Sequence, residues 1–318
     1  MFFSIVIPLY NKALYIETTL RSVVQQAFSD FEIIVVDDGS TDLGPHAVCE
    51  LALNDGRIRL VKQSNAGVAA ARNRGIAEAR GEWVAFLDAD DWWHSDYLSM
   101  QHRAVQAHPD VDVVATMLRR IPDAQDWSPL PWPPQDPHPA VVLIDDLPHR
   151  WMQGIPFFTS SVAVRRTRLL AMQTCFAVGE SHGEDLDLWF RLAEHTAIAH
   201  TQAALVAYRT AAMGSLMSQH AQRSMAPYLL RMERRARSNA MPMSKQAAAL
   251  RFVAQQRVTL AREALIGGDR WEAFQWLWRG RYAAGTKRWC MSLLMAGALP
   301  SALVQRWERW RNVRTSVA

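Results

Sequence analysis

The chain has 318 residues, of which 49% are hydrophobic and 21% charged, a balance typical of a folded globular protein. Its three cysteines are scattered and form no CxxC pair, which argues against a disulfide framework and against a zinc site. Charge is uneven along the chain: residues 222–318 hold 18 Lys and Arg against 5 Asp and Glu, whereas residues 1–221 hold 17 against 26. This asymmetry predicts an acidic catalytic module followed by a basic region that meets an anionic partner.

Short apolar runs alternate with helical patterns over the first two hundred residues. The candidate strands are 4–8, 32–37, 58–62, 83–88, 111–117, 141–144, 161–164 and 205–208. One helix face is marked by Leu14, Leu20, Val23 and Val24, and a second helix contains Val48, Leu51 and Leu53. Two further helices are predicted at 69–79 and 184–195. Such alternation predicts an α/β fold, a Rossmann-like and mostly parallel sheet with helices on both faces.

The pattern changes twice along the chain. The segment 122–139 is rich in proline and predicts a loop. From about Gln219 the sequence indicates mostly helix, with tryptophans interleaved among arginines. We therefore predict two regions, an α/β domain at 1–217 and a basic, Trp-rich, mainly α-helical C-terminal region at 218–318.

No stretch of the sequence offers the roughly 20 apolar residues that a membrane-spanning helix requires. The apolar run at the N-terminus is short and follows no basic residue, so it predicts a first strand and not a secretion signal. The expected location is the cytoplasm, with peripheral contact at the cytoplasmic face of the inner membrane as a further expectation.

Polar residues follow four of the predicted strands. They are the strings Pro8–Asn11, Asp37–Asp42 and Asn65–Gly75, and the carboxylates Asp88, Asp90 and Asp91. In open α/β sheets, ligands bind beyond the carboxyl ends of the strands, so these residues are expected to meet in one crevice. Clustered carboxylates repel one another unless a cation lies among them, and their oxygens favour Mg²⁺, Mn²⁺ or Ca²⁺.

The phosphate-binding motifs GxGxxG and GxxxxGK[ST] are absent from the sequence. A phosphate group would instead be held by a metal at Asp90 and by the helix that begins near 65–67, where free amides favour anions. Arg72 would add a charge-assisted contact from the same helix.

In their order along the chain, these motifs resemble those of the family 2 glycosyltransferases, which have the GT-A fold. The matching strings are IVIPLYN, VVDDGSTD, NAGVAAARNRG and FLDADD, and, further on, GEDLDLWFR at 183–191. The resemblance covers residues 1–215. It implies metal-dependent, inverting transfer of one sugar from a nucleotide-sugar, with UDP as the expected nucleotide. The QxxRW motif of processive polysaccharide synthases is absent, which favours a non-processive enzyme.

The resemblance also implies a role for each matching residue. The nucleotide pocket would be shaped by Pro8, Tyr10 and Glu17, the uracil ring contacted by Asp38 beside Asp37, and the ribose and diphosphate by Asn65, Gly67, Arg72 and Asp88. Asp90 would bind Mn²⁺ or Mg²⁺. Asp185 would be the catalytic base, with Glu184 as its supporting neighbour. No histidine follows the last predicted strand at the position where relatives place a metal ligand, so the third protein ligand stays open.

Several alternatives remain at this stage. The expected acceptor is a hydroxyl of a lipid-linked or cell-surface polysaccharide, but a polyprenyl-phosphate acceptor or a non-catalytic nucleotide-binding protein tethered by its basic tail would fit as well. The C-terminal region could be an interfacial membrane element, a nucleic-acid-binding surface or a plain helical subdomain. The resemblance favours the membrane, since members of that family commonly act on lipid-linked saccharides at the cytoplasmic leaflet, and no nucleic-acid-binding motif is present. The acidic residues at the start of the helix at 184 could also stabilise it through its dipole, and Asp187 could simply pair with Arg191.

Overall fold

The computed structural model describes residues 1–122, 132–133, 135–180, 183–210 and 224–298. The chain divides into two compact units, Met1–Gln219 and His220–Ala318. The predicted boundary at 217/218 lies within 211–223, outside the described residues. Most of the predicted proline-rich loop also falls outside them.

The first unit contains one sheet. Its strands are β1 (Phe3–Leu9), β2 (Phe31–Asp37), β3 (Ile58–Lys62), β4 (Trp83–Phe86), β5 (Trp92–Trp93), β6 (Val113–Pro122), β7 (Val141–Ile144), β8 (Val162–Arg165) and β9 (Ile198–Thr210). They are ordered β3-β2-β1-β4-β8-β6-β9-β5, and β7 pairs with β9. The helices of this unit are α1 (Ile16–Val24), α2 (Gly44–Asn54), α3 (Val68–Glu78), α4 (Tyr97–Ala107), α5 (Leu147–Gln153), α6 (Arg166–Leu170) and α7 (Glu184–Ala193).

The N-terminal half of the sheet is parallel, as predicted. β1 pairs in parallel with β2 and β4, and β2 pairs in parallel with β3. β1 and β2 are buried along their whole length, which is why their sequences are nearly continuous in Ile and Val and do not alternate. Helix α3 lies close against β1, because a Cβ at Gly75 would come within 2.2 Å of Val6 Cγ1. The parallel strands therefore end together on one side of the sheet.

The second half of the sheet is mixed. β8 runs antiparallel to both β4 and β6, and β9 runs parallel to β6 and antiparallel to β5 and β7. β9 is far longer than the predicted strand at 205–208, because β6 supports it through register shifts on either side of Met117. Leu14, predicted on the first helix, precedes the first turn of α1 and is exposed, whereas Leu53 lies in α2 as predicted, on its solvent side.

The second unit is helical, as predicted. It consists of α8 (Pro227–Arg237), α9 (Met243–Ile266), α10 (Arg270–Arg279) and α11 (Lys287–Gly297). α9 ends before a Gly-Gly turn, and the Asp269 carboxylate caps α10 by accepting from the Glu272 amide at 2.8 Å. A small core of Ala254, Val258, Leu265 and Leu277 lies along α9 and α10. Within the described ranges, no helix is both long and apolar enough to cross a bilayer.

Candidate functional site

A cleft of about 540 Å³ opens at the carboxyl ends of β1, β2 and β4. Predicted site residues form much of its wall: Pro8, Tyr10, Asp38, Asn65, Gly67, Arg72, Asp88, Asp90 and Glu184. Five segments that are distant in sequence are thus brought together where the strand-end rule places a ligand. Asp37, Glu17 and Asp185 do not line this cleft.

Asp38 connects the end of β2 to the start of α3. Its Oδ1 accepts from Gln63 Nε2 at 2.7 Å and from the Ala66 amide at 2.9 Å, and its Oδ2 accepts from the Gly67 amide at 2.8 Å. The two amides predicted to be free for a phosphate therefore donate to Asp38, which corrects that expectation. A carboxylate accepts about four hydrogen bonds, so Asp38 retains acceptor capacity toward the cleft.

The neighbouring Gly39 permits this approach. Its φ of +76° lies in the left-handed region, and a Cβ there would come within 3.0 Å of the Asn65 backbone nitrogen. A side chain at this position would push the end of β2 away from the loop at 65–67. The conformation therefore requires glycine.

Two predicted pocket residues have other surroundings. Asp37 is buried, and its Oδ1 accepts from the Ser40 amide at 2.9 Å, so it shapes the turn after β2. Glu17 lies on the solvent side of α1, where it pairs with Arg21 one turn later at 2.7 Å. Glu17 is not part of the cleft wall described above, and its role in shaping the nucleotide pocket stays a prediction.

Two cationic side chains form ion pairs with residues that were predicted to bind the nucleotide or the metal. Lys12 Nζ lies 2.7 Å from Asp90 Oδ2. Arg72 is 5% exposed and bridges two carboxylates, donating to Asp88 Oδ1 at 2.7 Å and to Glu184 Oε1 at 2.9 Å. Arg72 was predicted to contact a diphosphate directly. That role stays a prediction; in the structure its two terminal nitrogens join the Asp88 turn to the start of α7.

The charges of this cluster shift one another's protonation. Burial opposes the charge on Arg72, but the carboxylates of Asp88, Glu184 and Asp185 outweigh it and raise the pKa of Arg72. Burial and the neighbouring Asp185 raise the pKa of Glu184, and Arg72 only partly offsets them. Arg72 is therefore the fixed cation that stabilises acidic groups from two parts of the chain.

The third carboxylate of the turn has a separate role. Asp91 is buried, accepts from Ser160 Oγ at 2.5 Å and from the Arg209 amide at 3.0 Å. Burial, with the nearby charges of Asp90 and Asp88, raises the pKa of Asp91 well above its ordinary value. Asp91 thus holds the turn from the inside, while Asp88 and Asp90 face the cleft.

The residues present fit a hard divalent cation. The side chains of Asp88 and Asp90 border the cleft with carboxylate oxygens, the ligands that Mg²⁺ and Mn²⁺ prefer. Across the described residues, no three His, Cys, Asp or Glu side chains are grouped as a ready-made metal site. Mg²⁺ commonly binds through one or two carboxylates with substrate phosphates and water, so a complete protein cage is not needed.

The predicted catalytic base lies at the start of α7. Asp185 is half-buried; its Oδ2 accepts from Thr159 Oγ1 at 2.9 Å, and its Oδ1 accepts from the Leu186 amide at 2.7 Å. Asp187, one turn before Arg191, pairs with it at 3.0 Å, in agreement with the structural alternative for that residue.

Sequence reasoning missed four residues of this site: Lys12, Thr159, Ser160 and Arg209. Lys12 could have been found, since it directly follows the polar string at the end of β1. Arg209 is buried and donates from Nε to the Asp90 carbonyl oxygen at 3.2 Å. No periodicity or motif in the sequence indicates the other three.

Comparison with protein families gives one clear match. The model described as "Glycosyl transferase family 2" matches residues 4–171, just over half of the chain. The chain is 41% identical over 108 residues to the putative glycosyltransferase EpsH of Bacillus subtilis, covering 34% of this chain and 31% of that one. It is 46% identical over 88 residues to the uncharacterized glycosyltransferase YibD of Escherichia coli, covering 28% and 26%. The aligned parts thus span about a third or less of these curated relatives.

Solved structures resemble the chain over much more of its length. S. aureus TarS in complex with UDP-GlcNAc superposes with a TM-score of 0.64 at 19% identity, covering 92% of this chain and 80% of that chain. The mannosyltransferase PcManGT from Pyrobaculum calidifontis, in complex with GDP-Man and Mn²⁺, gives 0.53 at 20% identity, covering 98% and 84%. At such low identity the likeness concerns the fold.

Proposed function

The chain belongs to glycosyl transferase family 2 and has the GT-A fold, and from that premise we propose a metal-dependent, inverting and non-processive glycosyltransferase. It would transfer one sugar from a UDP-sugar to a hydroxyl of a lipid-linked or cell-surface polysaccharide. The observation that carries the proposal is the cleft, where nucleotide-binding candidates and the carboxylates Asp88, Asp90 and Glu184 face the same space.

The nucleotide would lie along the strand ends of β1 and β2. Pro8 and Tyr10 form one wall of the cleft, and Asn65 and Gly67 form another. Asp38, with its remaining acceptor capacity, would accept from a ring N–H of the base. TarS is in complex with UDP-GlcNAc and PcManGT with GDP-Man, so proteins of this fold bind either nucleotide. The likeness is consistent with a UDP-sugar donor but does not distinguish it from a GDP-sugar.

The diphosphate end is assigned to the turn after β4. Asp90 would hold Mn²⁺ or Mg²⁺, and Asp88 would lie near the ribose. Such a cation, when bound, neutralises negative charge that develops on a leaving diphosphate. Lys12, already 2.7 Å from Asp90, places a second positive charge at the same end of the cleft.

The acceptor side is assigned to the start of α7. Inversion requires the acceptor hydroxyl to attack the anomeric carbon from the face opposite the diphosphate, and Asp185 would take the hydroxyl proton. Glu184 is held by Arg72 next to this base, which fits a supporting role. The rest of the rate enhancement would come from positioning the two substrates in line.

The C-terminal region, 218–318, would bring the catalytic domain, 1–217, to the cytoplasmic face of the inner membrane. On α10, Trp271, Phe274 and Trp278 recur at helical spacing, and both tryptophans are 73% exposed. Gly297 of α11 approaches the Phe274 ring, and Leu293, one turn earlier, is partly exposed. Exposed aromatic side chains on a strongly basic helical unit are typical of interfacial membrane contact.

Thermal unfolding with nucleotides tests the proposal. The protein is heated with UDP, with GDP or alone, each with and without Mn²⁺, as wild type, Asp90→Ala and the control Asp110→Ala, whose side chain is exposed and outside the cleft wall. UDP at a hundred times its dissociation constant stabilises by about 2.7 kcal/mol. We expect a UDP shift that needs Mn²⁺, persists in Asp110→Ala and is lost in Asp90→Ala. A melting shift with GDP and none with UDP would mean that the donor is a GDP-sugar. No shift with either nucleotide would overturn the proposal.

A further inference from the structure

Two adjacent hydroxyls contact two different parts of the proposed active site. Thr159 and Ser160 open a short 3₁₀ turn before β8, and their residues are 2% and 1% exposed. Thr159 Oγ1 donates to Asp185 at 2.9 Å. Ser160 Oγ accepts from the Asp88 amide at 3.1 Å and donates to Asp91 at 2.5 Å. One turn thus contacts both the base and the carboxylate turn after β4.

The turn itself is firmly held. The Ser160 carbonyl oxygen accepts from the Trp93 indole N–H at 2.7 Å, and the Ser161 carbonyl oxygen accepts from Gln101 Nε2 at 3.2 Å. Both donors are buried, and the Trp93 ring stacks on Tyr97 with centroids 4.0 Å apart. The two hydroxyls therefore project from a backbone that is anchored to the core of the first unit.

A general base works best when its carboxylate keeps one orientation, because proton transfer needs a short and aligned contact with the attacking hydroxyl. The Leu186 amide holds Oδ1 of Asp185, and Thr159 holds Oδ2. With both oxygens held, rotation of the carboxylate about χ2 is opposed. One acceptor site on each oxygen remains for the incoming hydroxyl.

We propose that Thr159 is the positioning residue of the catalytic base, and that Ser160 does the same for the donor-binding turn at Asp88–Asp91. This inference rests on the proposed function, since it takes Asp185 as the base. Because the two residues are adjacent, the turn fixes the spacing between the group that activates the acceptor and the groups that hold the donor. Thr159 would act through the Asp185 carboxylate and Ser160 through the turn at Asp88–Asp91, so both are positioning residues.

The test compares Thr159→Val, Thr159→Ser and Asp185→Asn in the full-length protein. The readout is UDP release from UDP-N-acetylglucosamine with Mn²⁺, with a bacterial lipid extract or water as acceptor, alongside the UDP-induced melting shift. We expect Thr159→Val to lower kcat at least tenfold, with the KM for the donor and the melting shift unchanged. Thr159→Ser, which retains the hydroxyl, is expected to restore kcat to within about threefold of wild type.

Ser160→Ala is the paired variant for the donor side. We expect it to raise the KM for UDP-N-acetylglucosamine by about fivefold or more and to reduce the UDP-induced melting shift, with a smaller change in kcat than Thr159→Val. Equal changes of KM and kcat in both variants would contradict the division of roles, because the two hydroxyls would then act only through general stability.

The outcomes separate the two proposals. If Asp185→Asn abolishes turnover while Thr159→Val keeps wild-type kcat, the positioning role of Thr159 is overturned and the proposed function stands. If Thr159→Ser is as impaired as Thr159→Val, the hydroxyl is not what matters, which also overturns it. If Asp185→Asn turns over normally, the base assignment fails, and the inference fails with it.

Discussion

The two units of the chain differ in how their charged side chains are arranged. In the first unit, two cations at the cleft pair with carboxylates distant in sequence: the buried Arg72 with Asp88 and Glu184, and the partly buried Lys12 with Asp90. In the second unit, residues 224–298 hold 13 Lys and Arg against only 4 Asp and Glu, so positive charge there exceeds negative charge about threefold. Buried, paired charge indicates a site, and unbalanced surface charge indicates a surface that meets something anionic.

The contrast predicts that the largest losses of activity follow from changing single polar atoms at the site in the first unit. Asp185→Asn keeps the shape of the side chain but removes its ability to accept a proton. We expect transfer to a hydroxyl acceptor to fall by roughly 10²–10⁴-fold. The UDP-induced melting shift should be unchanged. Transfer to a polyprenyl-phosphate acceptor needs little base catalysis, so retained activity on that acceptor alone would favour the alternative function.

Asp187→Asn is the matched control for that variant. It makes the same chemical change two residues further along α7, where Asp187 pairs with Arg191 and is buried. We expect a lower melting temperature with nearly unchanged kcat. A loss of kcat as large as that of Asp185→Asn would mean that the start of α7, and not one carboxylate, carries the effect.

Arg72 gives the largest stability effect that we expect. Arg72→Gln removes the cation between two buried or partly buried carboxylates, and breaking such a pair costs roughly 3–5 kcal/mol. The exposed Arg74 on the same helix pairs with Glu78 one turn later, and Arg74→Gln should cost less than about 0.5 kcal/mol. Urea unfolding of both variants measures the difference. Equal, small losses would mean that the buried bridge contributes nothing to the first unit.

Much of the first unit follows from the sequence alone. β3 was predicted with its observed limits and β1 and β2 to within one residue at each end, because short runs with Ile and Val that end at polar residues mark parallel strands. The meeting of Asp38, Asn65 and Asp88 in one cleft followed from the rule that parallel strands end on the same side. The helical second unit was equally recognisable from its composition.

The partners inside the site could not be predicted in the same way. Arg72 is 112 residues from Glu184, and Thr159 is 26 residues from Asp185, so no helical or strand period links them. A motif likewise gives the position of Glu17 in the chain but not its ion pair with Arg21 on the solvent side of α1. Hydrogen-bond partners depend on which side chains the assembled fold brings within about 3 Å, a distance that a pattern of residue types does not encode.

The second unit offers a smaller, pH-dependent effect. Glu233 of α8 is hydrogen-bonded to Arg257 of α9, which also donates to the Arg279 carbonyl oxygen of α10 at 3.0 Å. Burial opposes ionisation, but the hydrogen bonds from Arg257 and Arg237 outweigh it and lower the pKa of Glu233 from 4.5. Glu233→Gln should therefore cost about 1.5–3 kcal/mol at pH 7, as for hydrogen bonds to charged groups.

The pH dependence follows from the sign of that shift. A carboxyl whose pKa is lowered by folding stabilises above its unfolded pKa, and loses that contribution as the pH falls through the folded value. The difference between wild type and Glu233→Gln should accordingly shrink below pH 4.5. Urea unfolding at pH 7 and at pH 3.5 measures it, with the exposed Glu272→Gln as control. A difference that stays constant with pH would exclude the ion pairs as its source.

The exposed aromatic side chains of α10 should contribute to membrane binding and little to the stability of the second unit. Trp271 and Trp278 are mostly exposed, so replacing both by Ser should change the free energy of unfolding by less than about 0.5 kcal/mol each. Binding to vesicles of phosphatidylcholine with 30% phosphatidylglycerol should nevertheless fall at least about tenfold, because interfacial binding scales with buried apolar area.

Met243→Ser removes an 84% exposed apolar side chain of the same unit away from this face and should bind as wild type. Vesicles of phosphatidylcholine alone should bind weakly in every case, since the basic unit then loses its electrostatic attraction. If the double variant co-sediments with anionic vesicles as well as wild type does, the exposed tryptophans serve another purpose, and the opposition between a site-bearing unit and a membrane-facing unit fails.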